Sequence, residues 1–191
     1  MNALKTPTPI INVPQSLTIV TDEEMLEKGM RSIGDVVRYT PGVNTSQGEG
    51  HRDAVVFRGV RSTADFFQDG ARDDVQYYRS LYNVEQVEIL RGPNALLFGR
   101  GGTGGALNRV TKKAVIGDSS LSINLGMDSF GAFDVAADIN MDMGDTMALR
   151  VNVHSDTLEN HRDYYDGDRL GFNPTLRMKL SPETTLDLSY E

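Results

Sequence analysis

The stretch ILRGPNALLFGRGGTGGALNRVTKK, residues 89–113, contains glycines at positions 99, 101 and 104 that fit the G-x-G-x-x-G pattern of dinucleotide-binding loops. That pattern binds a pyrophosphate when a strand enters the glycines and a helix leaves them, because the helix N-terminus receives the phosphates. Here "GPNALLFG" before the glycines predicts a short helical turn, and "GALNRVT" after them alternates and predicts a strand. No Gly-Lys-Ser/Thr follows, so these glycines require a structural explanation.

Composition excludes several classes of protein. The chain has 191 residues and no cysteine, which excludes disulfides and thiolate metal sites, and its net charge of -8 argues against a nucleic-acid partner. Residues 1–116 carry 14 basic and 13 acidic side chains, whereas residues 117–191 carry 5 and 14. No run of 18 apolar residues and no basic-then-apolar N-terminus occurs, so we expect neither a transmembrane helix nor a signal peptide in this sequence.

The first part of the chain mixes helix and strand signals. Thr21 and Glu24 form a capping-box pattern that predicts a short helix, and a second helix is predicted over about 33–39. Strands are predicted at "PQSLTIVT", "AVVFRGV", "ADFFQD", "VEQVEIL" and "GALNRVT". The sequence therefore predicts an α+β domain with a small mixed sheet over residues 1–116.

From Ser119 onward, apolar and polar residues alternate strictly, which predicts five consecutive antiparallel strands over residues 117–191. Asp134, Asp138 and Asp142 fall on one face of a single strand, a density of carboxylates that favours a water-filled lumen. The connections are short except for one predicted long loop over 155–171, as in transmembrane barrels, although the first turn is also short. A β-sandwich remains an alternative on this pattern alone.

Several blocks of the first part together resemble one known family. "TPTPIINVPQSLTIVTDEEM", "VRYTPGVN", "VVFRGVRS", "FFQDGARDD" and "VEQVEILRGPNALLFGRGGTGGALNRVTKK" resemble the plug domain of TonB-dependent outer-membrane receptors, most closely the ferric-siderophore branch. The alternating segments that follow then resemble the first strands of a barrel of about 22 strands. The resemblance implies an α+β plug domain followed by an incomplete transmembrane β-barrel, and hence a truncated receptor.

The resemblance also implies location and partners. It places the receptor in the outer membrane, in contact with lipid, where it binds a ferric siderophore and is driven by the TonB energy-coupling protein. No convincing coupling box is found before Thr8. The alternative function is a soluble α+β ligand-binding or regulatory module with a β-rich tail.

The same resemblance assigns roles to glycines and arginines. It makes six glycines structural, at points where backbone passes close to backbone: Gly92, Gly99, Gly101, Gly102, Gly104 and Gly105. It makes Arg58 and Arg91 partners of glutamates on the barrel wall, for which Glu85 and Glu88 are the local substitutes. Ordinary solvated arginines remain the alternative for both positions.

Loops over 47–53, 60–65 and 72–82 correspond to the plug segments that face the ligand. Aromatic and cationic side chains suit an anionic, aryl-bearing iron chelate. The predicted substrate-binding residues are therefore Tyr77, Tyr78, Arg79, Arg61 and Arg52. Tyr77 and Tyr78 could instead fill the boundary between plug and barrel, and Asp73 and Asp74 are interpreted as an ordinary turn pair.

No catalytic or metal-binding constellation is found in the sequence. The three histidines, His51, His154 and His161, are too scattered to form a ligand set. We therefore expect no enzyme, no cofactor and no direct metal site, with iron present only as the chelated substrate.

Overall fold

The computed structural model describes residues 9–13, 15–46, 52–62, 65–92 and 104–191. The chain forms two compact units, Met1–Thr111 and Lys112–Glu191. The predicted turn at "GPNALLFG", three of the predicted structural glycines and His51 lie outside the described residues. The domain boundary after residue 116 stays a prediction. Among the described residues, no helix has both the length and the apolar character needed to cross a membrane.

In the first unit, two short helices follow a single 3-10 turn at Ile10–Asn12 and the first strand. The helices are α1 (Asp22–Glu27) and α2 (Ile33–Arg38). The described strands are β1 (Ser16–Thr21), β2 (Val43–Thr45), β3 (Val55–Phe57), β4 (Val60–Ser62), β5 (Phe66–Gln68), β6 (Ala71–Arg72), β7 (Val84–Arg91) and β8 (Gly105–Thr111). Both predicted helices are confirmed, and the second ends one residue before its predicted end.

Side-chain caps define where both helices begin. Thr21 accepts a hydrogen bond from the backbone N–H of Glu24 at 3.3 Å, as predicted for the first helix. The complete reciprocal capping box is at the second helix, where Ser32 and Asp35 each accept from the other's backbone N–H. The caps satisfy N–H groups that have no partner within the first turn of a helix.

The larger sheet of the first unit is mixed, as predicted. Its order is β1-β7-β8-β5-β6, with β8 parallel to β5 and antiparallel to β7. All seven residues of the central strand β8 are buried, although its sequence alternates between apolar and polar. Asn108 and Arg109 are therefore buried together with Leu107. The core of the unit also contains the apolar faces of both helices: Met25, Ile33, Val36 and Val37.

Two tight hairpins turn on consecutive residues with positive φ. Arg58 and Gly59 (φ 48° and 87°) join β3 to β4, and Asp69 and Gly70 (φ 49° and 81°) join β5 to β6. Two left-handed central residues define the type I′ turn, whose twist matches that of the flanking strands. The prediction of one strand at "AVVFRGV" is therefore wrong, because the chain reverses at Arg58 and forms a separate sheet, β2-β3-β4.

The second unit is one antiparallel sheet in sequence order. Its strands are β9 (Ser120–Met127), β10 (Phe133–Asp142), β11 (Met147–Glu159), β12 (Asp166–Ser181) and β13 (Thr184–Ser189). All five predicted strands are confirmed. The predicted long loop over 155–171 is wrong, because Glu159 pairs with Asp166 and shortens the connection to residues 160–165. The paired ends of β11 and β12 also carry an ion pair between Asp156 and Arg169.

In this sheet, large apolar side chains of one face are exposed, whereas polar side chains of the other face are buried. On the apolar face, Leu121, Leu125 and Leu170 are 64%, 71% and 86% exposed. The buried residues of the polar face include the polar side chains of Asn140, Asn152, Asn173 and Thr175. Apolar side chains outside and polar side chains inside are the arrangement of transmembrane barrel strands. The sheet therefore has the polarity of a barrel wall.

Residues 112–118, here called the linker segment, lie against the polar face of β10. The side-chain amide of Asn140 contacts this segment three times. It accepts from the backbone N–H of Val115 (3.0 Å) and donates to the carbonyls of Val115 (2.9 Å) and Asp118 (2.8 Å). One side chain therefore binds both polar groups of a single peptide residue, as a neighbouring strand would.

Two further side chains hold the beginning of the linker segment. Arg150 on β11 donates to the carbonyl of Lys113 at 3.1 Å, and Thr175 on β12 donates to the carbonyl of Lys112 at 3.4 Å. Successive residues of the linker segment are thus bound by successive strands of the sheet.

Two of the three aspartates predicted for the polar face are bonded to groups of the same unit. Asp138 accepts from Lys112 Nζ at 2.9 Å and from Arg150 Nη2 at 2.7 Å. Asp142 accepts from the backbone N–H of Gly117 at 2.9 Å. These carboxylates thus hold the linker segment and a neighbouring strand, in addition to lining the polar face.

Candidate functional site

Residues 73–82, in the connection between β6 and β7, contain three of the five predicted substrate-binding residues. We call this segment the 73–82 loop. Asp74, Val75 and Gln76 are exposed in it, and Val75 is 67% exposed although apolar. The loop therefore presents a short row of exposed side chains.

The side chain of Arg79 lies inside this loop. Its Nε donates to the carboxylate of Asp73 at 3.0 Å, and its Nη1 donates to the carbonyl of Tyr77 at 3.3 Å. Its Nη2 donates to the carbonyls of Asp73 and Val75 at 2.9 and 2.7 Å. The side chain is 0% exposed. A loop in which one guanidinium satisfies three carbonyls has little freedom to change its backbone.

Two aromatic rings hold the guanidinium of Arg79 in addition to its hydrogen bonds. Its central carbon lies 3.9 Å from the ring centroid of Phe66 and 4.3 Å from that of Tyr77. A guanidinium stacks favourably on the face of an aromatic ring, most strongly where water is excluded. Phe66 belongs to β5, so the stacking joins the loop to the core sheet.

A second buried arginine joins the loop to strand β8. Arg109 Nη2 donates to Asp73 Oδ2 (2.9 Å), to the Tyr77 hydroxyl (2.7 Å) and to Gln68 Oε1 (2.7 Å). The Tyr77 hydroxyl in turn donates to Asp73 Oδ2 at 2.8 Å. The Asp73 carboxylate is therefore shared by two guanidinium groups and one phenol, and it is the centre of the network.

The pKa values of Asp73 and Tyr77 follow from this geometry. Burial raises the pKa of the Asp73 carboxyl, but the Tyr77 hydrogen bond and the charges of Arg79 and Arg109 outweigh it, so the pKa lies below its usual value. Burial raises the pKa of Tyr77, and the neighbouring Asp73 carboxylate adds to the rise against the opposing effect of Arg109. At neutral pH, Asp73 is charged and Tyr77 remains a hydrogen-bond donor.

The loop also contacts the segment before β3. The backbone N–H of Arg79 donates to Asp53 Oδ2 at 2.7 Å, and the backbone N–H of Asp53 donates to the carbonyl of Tyr77 at 3.1 Å. The Arg52 side chain donates to the side chain of Gln76. The structure therefore brings Arg52 close to the predicted site residues of the 73–82 loop.

The other predicted site residues are placed differently. Tyr78 is half-buried in the loop, and Arg61 is exposed on the short strand β4. The burial of Arg79 favours an indirect role for this residue, and its contact with a ligand stays a prediction. The interpretation of Asp73 as an ordinary turn residue is wrong, because its carboxylate joins Arg79 to Arg109.

The two arginines predicted to pair with barrel glutamates differ in exposure. Arg58 is exposed at its hairpin turn, whereas half-buried Arg91 donates to the Pro41 carbonyl and to the Thr18 hydroxyl, both at 3.0 Å. Glu88, proposed as a local substitute partner, is 0% exposed and accepts from the amides of Gln86 and Asn108 at 2.8 and 3.0 Å. Glu85 is exposed. The ion pairs with a barrel stay a prediction.

Two described glycines of the glycine-rich stretch, Gly104 and Gly105, lie where a side chain has no space. A Cβ at Gly105 would lie 2.4 Å from the Phe57 ring and 2.5 Å from the Leu90 carbonyl oxygen, and one at Gly104 would lie 2.8 Å from Phe57 Cβ. Gly92 has open space but a φ of 111°, which side chains disfavour. This geometry explains glycine at these positions without a nucleotide. Among the described residues, no cluster of acidic and histidine side chains could hold a metal ion.

The chain matches one family over most of the first unit. Residues 9–106 match the TonB-dependent receptor plug domain. The chain therefore belongs to the TonB-dependent receptors.

Individual relatives extend the similarity into the second unit. The chain is 31% identical over 185 residues to a probable TonB-dependent receptor, BfrD, of Bordetella pertussis, covering 94% of this chain and 25% of that protein. It is 28% identical over 192 residues to the catecholate siderophore receptor Fiu of Escherichia coli K12, covering 95% and 25%. The chain thus spans about a quarter of the length of the curated relatives it matches.

Solved structures show the same fold over both units. The open form of Fiu from E. coli K12, a ferric-catecholate import receptor, superposes with a TM-score of 0.89 at 26% identity, over 99% of this chain and 28% of that one. The siderophore receptor PiuA of Acinetobacter baumannii gives a TM-score of 0.87 at 27% identity, over 95% and 26%. The α+β plug followed by antiparallel barrel strands, as predicted, is thereby confirmed.

Proposed function

We propose that this chain forms the plug and early barrel strands of an outer-membrane receptor that imports a ferric siderophore with energy supplied through TonB. The observation that carries the proposal is the similarity over 94–99% of this chain to receptors of that class, across both units. Relatives named for catecholate siderophores and for ferrioxamine B support a ferric chelate as the substrate class. The exposed apolar face of the second unit supports contact with outer-membrane lipid.

Within that function, the 73–82 loop and its neighbour Arg52 form the proposed contact surface for the ligand. Gln76 is exposed, and Arg52 and Tyr78 are half-buried beside it. A phenol ring and a guanidinium can stack on an aryl chelate and donate charge-assisted hydrogen bonds to its oxygens. Arg61 extends the proposed surface on β4. The iron arrives already chelated, so none of these residues needs to bind the metal.

Arg58 and Arg91 keep their proposed role as partners of carboxylates on a complete barrel wall. Arg58 is exposed at a rigid turn, which leaves its guanidinium free to reach such a group. In a complete barrel that buries this pair, removing one partner would cost about 3–5 kcal/mol. In the full-length receptor, Arg58→Ala should therefore loosen the plug and admit large antibiotics, which a permeability assay would detect.

The binding function is tested on the full-length receptor with two probes, the ferric complex of 2,3-dihydroxybenzoate and ferrioxamine B. We expect saturable binding of at least one probe and energy-dependent uptake of its iron by cells. Tyr78→Ala should weaken that binding by about tenfold, since a stacked ring contributes about 0.5–1.5 kcal/mol beyond its buried area.

The matched control is Tyr39→Ala, which removes an equally large ring that is 59% exposed at the end of α2. This variant should bind as the wild-type receptor does. A receptor that binds neither probe contradicts the proposed function. Equal binding by the Tyr78→Ala variant and the wild type removes Tyr78 from the contact surface.

A further inference from the structure

We infer that Arg79 is a positioning residue, which fixes the 73–82 loop in one conformation before the ligand arrives. The inference rests on the proposed function, because it assigns a cause to the affinity of the same surface. A positioning role is distinct from direct contact with the ligand. The Arg79 side chain is 0% exposed, and it already makes four hydrogen bonds within the protein.

Arg79 holds several backbone groups of the loop at once. Three of its bonds go to the carbonyls of Asp73, Val75 and Tyr77, which alternate along one short segment. Without the guanidinium, the carbonyls of Asp73 and Val75 would lose this donor, whereas the Tyr77 carbonyl would keep the backbone N–H of Asp53. An unsatisfied buried carbonyl is unfavourable, so the loop would rearrange toward water.

The shape of the Arg79 guanidinium also suits this place. The guanidinium is planar and lies over the rings of Phe66 and Tyr77, at 3.9 and 4.3 Å from their centroids. A lysine ammonium offers three donors around a point and cannot stack flat over two rings while reaching three carbonyls. The site is therefore specific for arginine, beyond a requirement for positive charge.

The loop is also anchored on the core sheet. Asp73 receives Arg109 from the central strand β8, and Phe66 belongs to β5. The loop is thereby tied to two hydrogen-bonded strands of the core sheet. The exposed residues of the loop, which include Asp74, are thereby held in place by the buried side chains of Arg79 and Arg109.

A fixed loop binds more tightly than a mobile one with the same exposed residues. Ordering a loop at the moment of binding lowers affinity, and a loop ordered in advance avoids this loss. Loosening the loop should therefore weaken ligand binding without removing any atom that touches the ligand. This consequence separates a positioning residue from a contact residue.

The test uses nitroxide labels on the full-length receptor, helped by the absence of cysteine from this chain. One label is attached at Val75→Cys in the loop and a second, separately, at Leu26→Cys on the exposed side of α1. In the Arg79→Lys background we expect the loop label to become mobile and the helix label to stay unchanged. Tyr77→Phe, which keeps the ring and removes the hydroxyl, should give a smaller increase.

Affinity is measured on the unlabelled variants with the ferric dihydroxybenzoate complex and ferrioxamine B. We expect Arg79→Lys to bind the recognised probe at least about tenfold more weakly, a change of about 1.4 kcal/mol. The control Arg38→Lys changes an exposed arginine in the last turn of α2, outside the segments assigned to the ligand, and should bind as the wild type does.

Each other outcome overturns a stated part of the inference. An unchanged loop label shows that Arg79 does not fix the loop, and equal mobility increases at both labels show a general structural role. A mobile loop with wild-type affinity shows that ordering of the loop does not serve binding. A wild-type receptor that binds neither probe overturns the proposed function itself, and the inference with it.

Discussion

The two units of this chain differ in the kind of side chain that they bury. In the first unit, Ile33, Val55 and Ile89 are 0% exposed and form the core. In the second, Asn152 is 0% exposed, whereas Leu170 is 86% exposed. Apolar burial drives the folding of a water-soluble domain, but a sheet whose apolar face meets lipid gains nothing by burying it. The comparison therefore indicates two different solvents for one continuous chain.

The largest expected effect comes from a charge placed in the core of the first unit. Leu107→Arg would bury an unpaired charge on the central strand β8, where the side chain is 0% exposed. We expect a loss of about 4 kcal/mol or more, enough to unfold the unit. Limited proteolysis of the receptor in detergent would detect the opened unit. The control Leu26→Arg, at a side chain that is 65% exposed, should resist protease as the wild type does.

The same substitution in the second unit should depend on the solvent. Leu125→Arg lies on the apolar face, 71% exposed, and should cost about 2–4 kcal/mol near the middle of a bilayer. Urea titration of the full-length receptor folded into phospholipid vesicles measures this cost. Asn124→Arg, one residue away on the polar face, is the control and should cost much less. Equal costs for the two variants would show that the two faces do not meet different solvents.

A third substitution tests close packing alone, because it introduces no charge. Gly105→Ala adds only a methyl group, but that group would lie 2.5 Å from the Leu90 carbonyl oxygen. We expect about 2–3 kcal/mol of destabilisation from this overlap, measured by urea unfolding in detergent. Gly29→Ala has open space and a φ of 61°, so it should cost only about 1–2 kcal/mol, from backbone strain. A larger cost at Gly29 than at Gly105 would contradict the close approach.

The smallest expected effect is an acid sensitivity of the 73–82 loop. Because the pKa of Asp73 is lowered in the folded state, its ionised form stabilises the loop at neutral pH. This stabilisation should decrease as the pH falls below about 4, the usual value for an aspartate, and disappear below the folded pKa. The mobility of the Val75 label between pH 7 and pH 3 measures it. The Asp73→Asn variant should show a mobile loop already at pH 7 and little further change in acid.

The predictions from sequence succeeded where one physical rule dominated. In the second unit, strict alternation from Leu121 to Met127 and in the later segments specified all five strands, because side chains of a strand alternate between its faces. The capping residue Thr21 marked the start of α1 for a similarly local reason. Strand ends were missed where alternation fails: polar residues such as Asp156 and Arg169 continue β11 and β12 as a cross-strand ion pair.

The candidate site was less predictable, because its key contacts are between residues far apart in sequence. An arginine in a loop is usually exposed, and nothing near Arg79 in the sequence shows that Phe66 and Tyr77 enclose it. The hairpin at Arg58 was missed because its first left-handed position carries arginine, where asparagine or glycine is the usual signal. Sequence placed Tyr77 and Arg79 in one loop, and only the fold showed which of them is buried.

The contacts of the Asn140 amide restrict the length of the linker segment. It binds the N–H and the C=O of the same residue, Val115, while Arg150 and Thr175 bind residues two and three positions earlier. Inserting or deleting one residue between these contacts would bring a peptide group of the wrong orientation to each side chain. The segment should therefore diverge in sequence but not in length, whereas the turn over 160–165 can gain or lose residues freely.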